Sequence, residues 1–93
     1  MKSYWFDPQH TGALRVIDSN TKTITGADSN NEIWCVDYIQ KDKTFIVDFS
    51  KKDGHRGNKI IEATISDRNN TLLWSDGNKW QRIRVDPNIV LNR

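Results

Sequence analysis

The stretch EIWCVDYIQKDKTFIVDFS, residues 32–50, contains two runs in which apolar side chains recur at every second position. In the second run, residues 44–50, the bulky side chains of Phe45, Val47 and Phe49 alternate with smaller or polar ones. This alternation is typical of a β-strand with one buried face. In the first run both alternating faces are largely apolar, which predicts a strand near the centre of a sheet.

The rest of the chain repeats this pattern in shorter form. Clusters of Asn, Asp, Gly, Ser and Lys separate the apolar runs, as expected for turns between strands, and no amphipathic helix competes with them. We therefore predict an all-β fold, a small antiparallel meander of six to eight strands that forms a barrel or a two-layer sandwich as a single domain over residues 1–93. The predicted strands are 3–7, 13–18, 23–25, 32–40, 44–50, 59–66, 71–75 and 80–85.

Composition limits the classes of protein to which the chain belongs. Its 14 basic and 12 acidic residues leave a formal charge of +2, which favours solubility more than any particular partner. Cys35 is the only cysteine, so an intrachain disulfide is excluded. The chain has neither the apolar run of a signal peptide nor one that would span a bilayer, so we expect a cytoplasmic or nuclear protein without a membrane partner.

The last two predicted hairpins carry a motif. Ile61-x-Ala63-x-Ile65 is followed by residues 72–82, which read Leu-x-Trp-Ser-Asp-Gly-x-x-Trp-x-Arg. This pattern resembles that of small β-barrel-like domains in protist and algal proteins of unknown function. In those domains Asp-Val commonly follows Trp-Ser-Asp-Gly, whereas this chain has Asn78-Lys79. The resemblance implies a barrel fold and implies no activity or catalytic residue.

Trp74 and Trp80 flank a strong turn signal, Asp76-Gly77. In register across a hairpin the two indole rings would pack on one face and stabilise the turn, which is the interpretation we favour. The alternative is that one ring is exposed and forms a flat surface for a binding partner.

Basic residues follow the same turn. Arg82 and Arg84 alternate with apolar neighbours on the last strand, and Lys79 lies beside Trp80. Cations next to an aromatic ring are typical of single-stranded nucleic-acid binding. A solvated outer face balanced by acidic residues explains the same pattern, and the near-neutral total charge favours that explanation.

No group of reactive side chains has the spacing of a catalytic or metal site. The two histidines, His10 and His55, lie in predicted loops without ligand partners at a suitable spacing. Cys35 lies in the most apolar strand, where we expect it to pack as a small hydrophobic residue. We therefore expect no cofactor, no metal and no catalytic residue, and we regard an enzymatic activity as the least favoured class.

These observations favour a non-enzymatic binding or interaction module that contacts a protein or another polymer through exposed aromatic residues and loops. Two alternatives stay open: a lipocalin-like carrier that encloses a small apolar ligand, and a weak binder of single-stranded nucleic acid. The candidate binding residues are Trp74, Asp76, Lys79, Trp80, Arg82 and Arg84.

Overall fold

A computed structural model of the chain describes residues 1–9, 14–27, 32–50, 60–66 and 68–84, and eight β-strands lie within them. They match the eight predicted strands to within two residues at each end. The described part of the chain has no helix long and apolar enough to cross a membrane. The strands are β1 (Lys2–Phe6), β2 (Arg15–Asp18), β3 (Thr23–Ala27), β4 (Ile33–Lys41), β5 (Thr44–Asp48), β6 (Ile60–Ser66), β7 (Thr71–Trp74) and β8 (Lys79–Ile83).

The eight strands form a closed antiparallel barrel. Each strand pairs with the next one along the chain, and β8 pairs with β1, which closes the sheet. The predicted all-β meander is therefore confirmed, in its barrel form and with the highest strand number that we expected. Closure leaves no unpaired edge among the eight described strands, which is the usual way for a small antiparallel sheet to avoid edge-to-edge association.

The two ends of the barrel differ in the length of their connections. We call the end at which β1, β3, β5 and β7 finish the upper end and the opposite one the lower end. Connections at the lower end have two to four residues, and Lys22, Asp42, Arg68 and Asn69 adopt positive φ there. Connections at the upper end have four to eleven residues. Longer connections on a rigid scaffold are where binding residues usually occur.

Bulky side chains fill the interior. Strand register places Val47 opposite Ile61 and Phe45 opposite Ala63, so that alternate residues of neighbouring strands share the inner face. An eight-stranded barrel is just wide enough to be filled by side chains or to hold one small ligand. The buried apolar residues are Trp5, Ile17, Ile24, Trp34, Val36, Tyr38, Phe45, Val47, Ala63, Leu72, Trp74 and Trp80.

The two largely apolar faces of residues 32–40 predicted a strand near the centre of a sheet, but in the barrel the outer face of β4 is exposed. Only the inward residues of this strand pack, whereas Ile33 is 79% exposed and Ile39 is 61% exposed on the outside. The expectation that Cys35 packs as a small hydrophobic residue is wrong, because Cys35 is exposed on the outer face, where its Sγ accepts a hydrogen bond from the Thr25 hydroxyl. The reason is closure of the sheet. The buried side chains of the described strands lie on the inner face, so an apolar residue on the outer face is exposed to solvent.

Candidate functional site at the upper end of the barrel

A charged residue lies inside the barrel at its upper end. Arg15 begins β2 on the same inward face as Ile17 and is only 1% exposed. Its guanidinium forms an ion pair with the equally buried Asp7, with Nη2 and Oδ2 3.4 Å apart, and donates from Nη1 to the Ala27 carbonyl at 3.1 Å. A buried charge is retained only when it is paired and hydrogen-bonded, and Arg15 meets both conditions.

Asp7 connects distant parts of the chain. Its Oδ1 accepts a hydrogen bond from Asn78 Nδ2 at 3.0 Å and another from the backbone N–H of Gln9 at 2.9 Å. Asn78 in turn accepts the Lys79 backbone N–H through its own Oδ1 at 2.7 Å. These bonds tie the end of β1 to the connection between β7 and β8, so the ion pair has a defined position.

Two indole rings flank the guanidinium. Arg15 Cζ lies 5.1 Å from the centre of the Trp34 ring and 5.9 Å from that of Trp80. Both distances are in the range of cation–π attraction. Gly26 makes room for this arrangement: a Cβ atom there would lie 2.5 Å from Trp34 Cζ2 and 2.8 Å from Arg15 Cδ. The upper interior is close-packed at this point.

The aromatic cluster extends across the barrel. Phe49, half-buried just after β5, lies with its ring 5.9 Å from that of Trp34 and 5.5 Å from that of Trp74. The Trp74 and Trp80 rings are 4.7 Å apart and tilted by 58°. The upper-end cluster, defined as Asp7, Arg15, Trp34, Phe49, Trp74, Asn78 and Trp80, thus combines an aromatic lining with a neutralised charge pair.

The indole N–H groups of this cluster are not all satisfied. Trp5, nearby on β1, donates from Nε1 to the Ser3 hydroxyl at 2.8 Å. Nε1 of Trp74 and Nε1 of Trp80 are both buried, and neither has a hydrogen-bond acceptor among the described residues. A buried donor without an acceptor costs about 1–3 kcal/mol. Such a group in a folded protein calls for an explanation, and an acceptor atom from outside the chain, such as that of a bound water, ion or other small molecule, is one of them.

The tryptophan pair takes the packing arrangement that we favoured. Both rings face inward, Trp74 with 6% and Trp80 with 4% of its surface exposed, so the alternative of an exposed indole surface is wrong for these two residues. Trp5 and Trp34 are buried as well. All four tryptophans are therefore buried and cannot form an exposed contact surface. The candidate site lies in the interior of the barrel.

Asp76 and Lys79 are both exposed, Asp76 in the turn and Lys79 at the start of β8. Asp76 Oδ1 accepts the backbone N–H of Asn78 at 3.0 Å, and Gly77 adopts φ +95°, which confirms the predicted turn. Lys79 begins β8 on the outer face, whereas Trp80 points into the barrel. The lysine and the indole ring are therefore on opposite sides of the sheet.

The two arginines do not form the outer basic stripe that the sequence suggested. Arg82 is opposite Trp5 in the β1–β8 register, stacks over that indole ring at 5.9 Å and contacts the Asn69 carbonyl. Arg84 donates to Asn70 Oδ1 at 2.8 Å. Both arginines therefore contact the connection between β6 and β7 at the lower end of the barrel.

Two titratable groups near the lower end have shifted pKa values. The backbone N–H of Asn20 donates to Asp18 and lowers the pKa of that carboxyl group. Burial raises the pKa of the Tyr38 phenol above 10.0, and the nearby negative charge of Asp18 adds to this effect. Neither residue belongs to the upper-end cluster.

Sequence reasoning missed Asp7, Arg15, Trp34 and Asn78 as site residues. Arg15 shares the inner face of β2 with Ile17, and Asp7 continues the face of Trp5, so a strict count of alternate positions would have placed both inside. His10 and His55 lie outside the described residues. Within the described ranges, no group of three or more His, Cys, Asp or Glu side chains has the arrangement to hold a metal ion.

No family model matches the sequence, and neither curated proteins nor solved structures include a significantly similar chain. The resemblance of the last hairpins to protist and algal barrel domains therefore stays a prediction.

Proposed function

We propose that this chain is a non-enzymatic binding protein that holds a small, mainly apolar molecule against the upper-end cluster. The observation that carries the proposal is the pair of buried indole N–H groups, on Trp74 and Trp80, with no acceptor among the described residues. Both lie beside the buried ion pair of Arg15 and Asp7.

The architecture supports the same function. Binding sites for small molecules are concave and mainly apolar, with a few fixed polar groups. The upper-end cluster has this composition, and the longer connections of the barrel start and finish around it. The size of the barrel sets a limit: the interior is close-packed next to Gly26, so the ligand has to be small.

The test uses two neutral probes of similar size, ethylbenzene and acetophenone, with the complete chain. We expect at least one of them to raise the thermal unfolding midpoint in a saturable manner, because a ligand that binds only the folded state stabilises it by mass action. Phe49→Leu removes part of the cluster and should weaken this binding.

Phe45→Leu is the matched control, since Phe45 packs on Tyr38 at the lower end with ring centres 5.1 Å apart. Phe45→Leu makes the same substitution as Phe49→Leu but outside the cluster, so its affinity for the probe should equal that of the wild type. If neither probe binds the wild-type protein, or if both variants lose affinity equally, the proposal is wrong.

A second candidate function is an interaction with a protein through the outer face of β4 and β5. Ile39, 61% exposed, is directly opposite Ile46 across the two strands, and Glu62 of β6 is opposite Ile46. Apolar surface bordered by an acidic residue suits a partner segment with apolar and basic side chains.

A peptide of alternating isoleucine and lysine tests this second function. It should shift the backbone NMR signals of β4 and β5, and Ile39→Thr should weaken the effect. An absence of shifts at millimolar peptide concentration would argue against a docking surface there.

A further inference from the structure

The balance of hydrogen-bond donors and acceptors at the upper end indicates which chemical class of ligand it takes. An indole N–H is only a donor. Trp74 and Trp80 thus contribute two donors on neighbouring residues, since their ring centres lie 4.7 Å apart. Arg15 Nε is also buried and makes no hydrogen bond among the described residues, so the surplus in the cluster is one of donors. A ligand that satisfies them must present an acceptor atom.

The acceptors of the cluster are already used. Asp7 Oδ2 faces Arg15, and Asp7 Oδ1 receives Asn78 and Gln9. The Asn78 side-chain oxygen receives the Lys79 backbone N–H. A ligand that offers mainly donors would have to share oxygen atoms that already accept bonds inside the protein, whereas a ligand that offers an acceptor completes the unused N–H donors.

The charges of the cluster are balanced as well. Arg15 and Asp7 are both almost fully buried and form an ion pair, so together they add no net charge. An anionic ligand would bring an uncompensated charge into this interior, and a cationic ligand would have to compete with Arg15 for Asp7. Both situations are costly in a buried site.

From these observations we infer that the ligand is an uncharged, mainly apolar compound with a carbonyl oxygen that accepts hydrogen bonds from the indole N–H groups of Trp74 and Trp80. This inference rests on the proposed function, because it concerns the same site. It adds the class of ligand and the two donor atoms that select it.

The first test compares three probes with the wild-type chain: acetophenone, which has the carbonyl group, ethylbenzene, which has the same size without it, and benzoate, which has a charge. Acetophenone should bind about three- to tenfold more tightly than ethylbenzene, the range expected for one net hydrogen bond. Benzoate should bind more weakly than acetophenone.

The second test removes the donors and keeps an aromatic ring. In Trp74→Phe and Trp80→Phe, the ratio of acetophenone to ethylbenzene affinity should fall toward one. This ratio is measured within each variant, so a general change in packing affects both probes and cancels. Trp5→Phe is the matched control, because the Trp5 N–H already has Ser3 as its acceptor, and the ratio should stay that of the wild type.

The outcomes separate the inference from the function on which it rests. If no probe binds the wild-type chain, the proposed function fails. If ethylbenzene and acetophenone bind equally well, if benzoate binds most tightly, or if the two variants keep the wild-type ratio, binding stands and the carbonyl inference is overturned. The comparison of probes on the wild-type protein decides the matter even if a variant does not fold.

Discussion

Asp7 and Arg15 form a charge pair inside the barrel, with 2% and 1% of their surfaces exposed and 3.4 Å between the paired atoms. The pair joins the end of β1 to the start of β2, and Asn78 adds the connection that precedes β8. A buried pair is replaced by apolar residues at little cost, but the loss of one partner leaves a buried charge. The geometry of the upper end depends on both residues.

Asp7→Asn should therefore be strongly destabilising. It keeps the shape of the side chain and removes the buried negative charge that pairs with Arg15, so we expect the free energy of unfolding to fall by about 3 kcal/mol or more in urea denaturation. Glu62→Gln, which neutralises an exposed carboxylate, is the matched control and should change stability by less than about 0.5 kcal/mol.

The double variant Asp7→Leu with Arg15→Met extends this test. It should be less destabilised than Asp7→Leu alone, because the second change removes the buried positive charge of Arg15, which Asp7 no longer balances. Stability of Asp7→Asn within about 0.5 kcal/mol of the wild type would contradict the buried pair.

Gly26→Ala tests the packing of the upper end. The added methyl group would lie 2.5 Å from a ring atom of Trp34 and 2.8 Å from Arg15 Cδ, so both side chains must move. We expect a loss of about 1–3 kcal/mol in unfolding free energy, the usual cost of overpacking, and a change in tryptophan fluorescence. Gly77→Ala is the control for added volume, since no atom lies within 4 Å there and its cost comes from the positive φ alone. Unchanged fluorescence in Gly26→Ala would show that Trp34 is not held against Gly26.

The raised pKa of Tyr38 predicts how the stability of the protein changes at alkaline pH. Its pKa is raised in the folded protein, first by burial and then by Asp18, so the folded state keeps the phenol proton more strongly than the unfolded state does. The contribution is fully present below the unfolded pKa near 10 and is lost as the pH rises through the folded value. The free energy of unfolding should thus fall more steeply above pH 10 in the wild type than in Tyr38→Phe. Equal slopes for the two proteins would contradict this prediction.

Nucleic-acid binding through the last strand is not expected from the geometry. Trp80 is 4% exposed, and Arg82 and Arg84 are engaged with Trp5 and with Asn69 and Asn70. A single-stranded oligothymidylate should therefore leave the tryptophan fluorescence unchanged at low salt. Quenching that weakens steeply with added salt would restore the nucleic-acid hypothesis.

The strands were predictable because a period of two residues is a local signal. The alternation in residues 44–50 predicts one inward face, and in the barrel the side chains of Phe45, Val47 and Phe49 do pack inward. The Asp76-Gly77 turn was predictable for a similar reason, since a tight hairpin needs a residue that tolerates positive φ.

The site itself depends on closure and was not predictable in this way. Asp7 and Asn78 are 71 positions apart in the sequence and become hydrogen-bonded partners only when β8 pairs with β1. The same closure leaves Ile33 and Ile39 exposed on the outside of the barrel. The sequence pattern alone cannot distinguish an apolar face that is exposed from one that is buried. A local pattern can place a polar residue on the inner face, but its pairing partner is set by the arrangement of the whole barrel.

The indole N–H signals of a ¹⁵N-labelled sample provide the most direct test of the central claim, since the four tryptophans should give four resolvable cross-peaks. Trp→Phe variants assign them. We predict that acetophenone shifts the Trp74 and Trp80 cross-peaks downfield as their N–H groups gain an acceptor, while the Trp5 cross-peak stays in place. If saturating acetophenone leaves the Trp74 and Trp80 cross-peaks where they are in the free protein, the upper-end cluster is not the binding site that we propose.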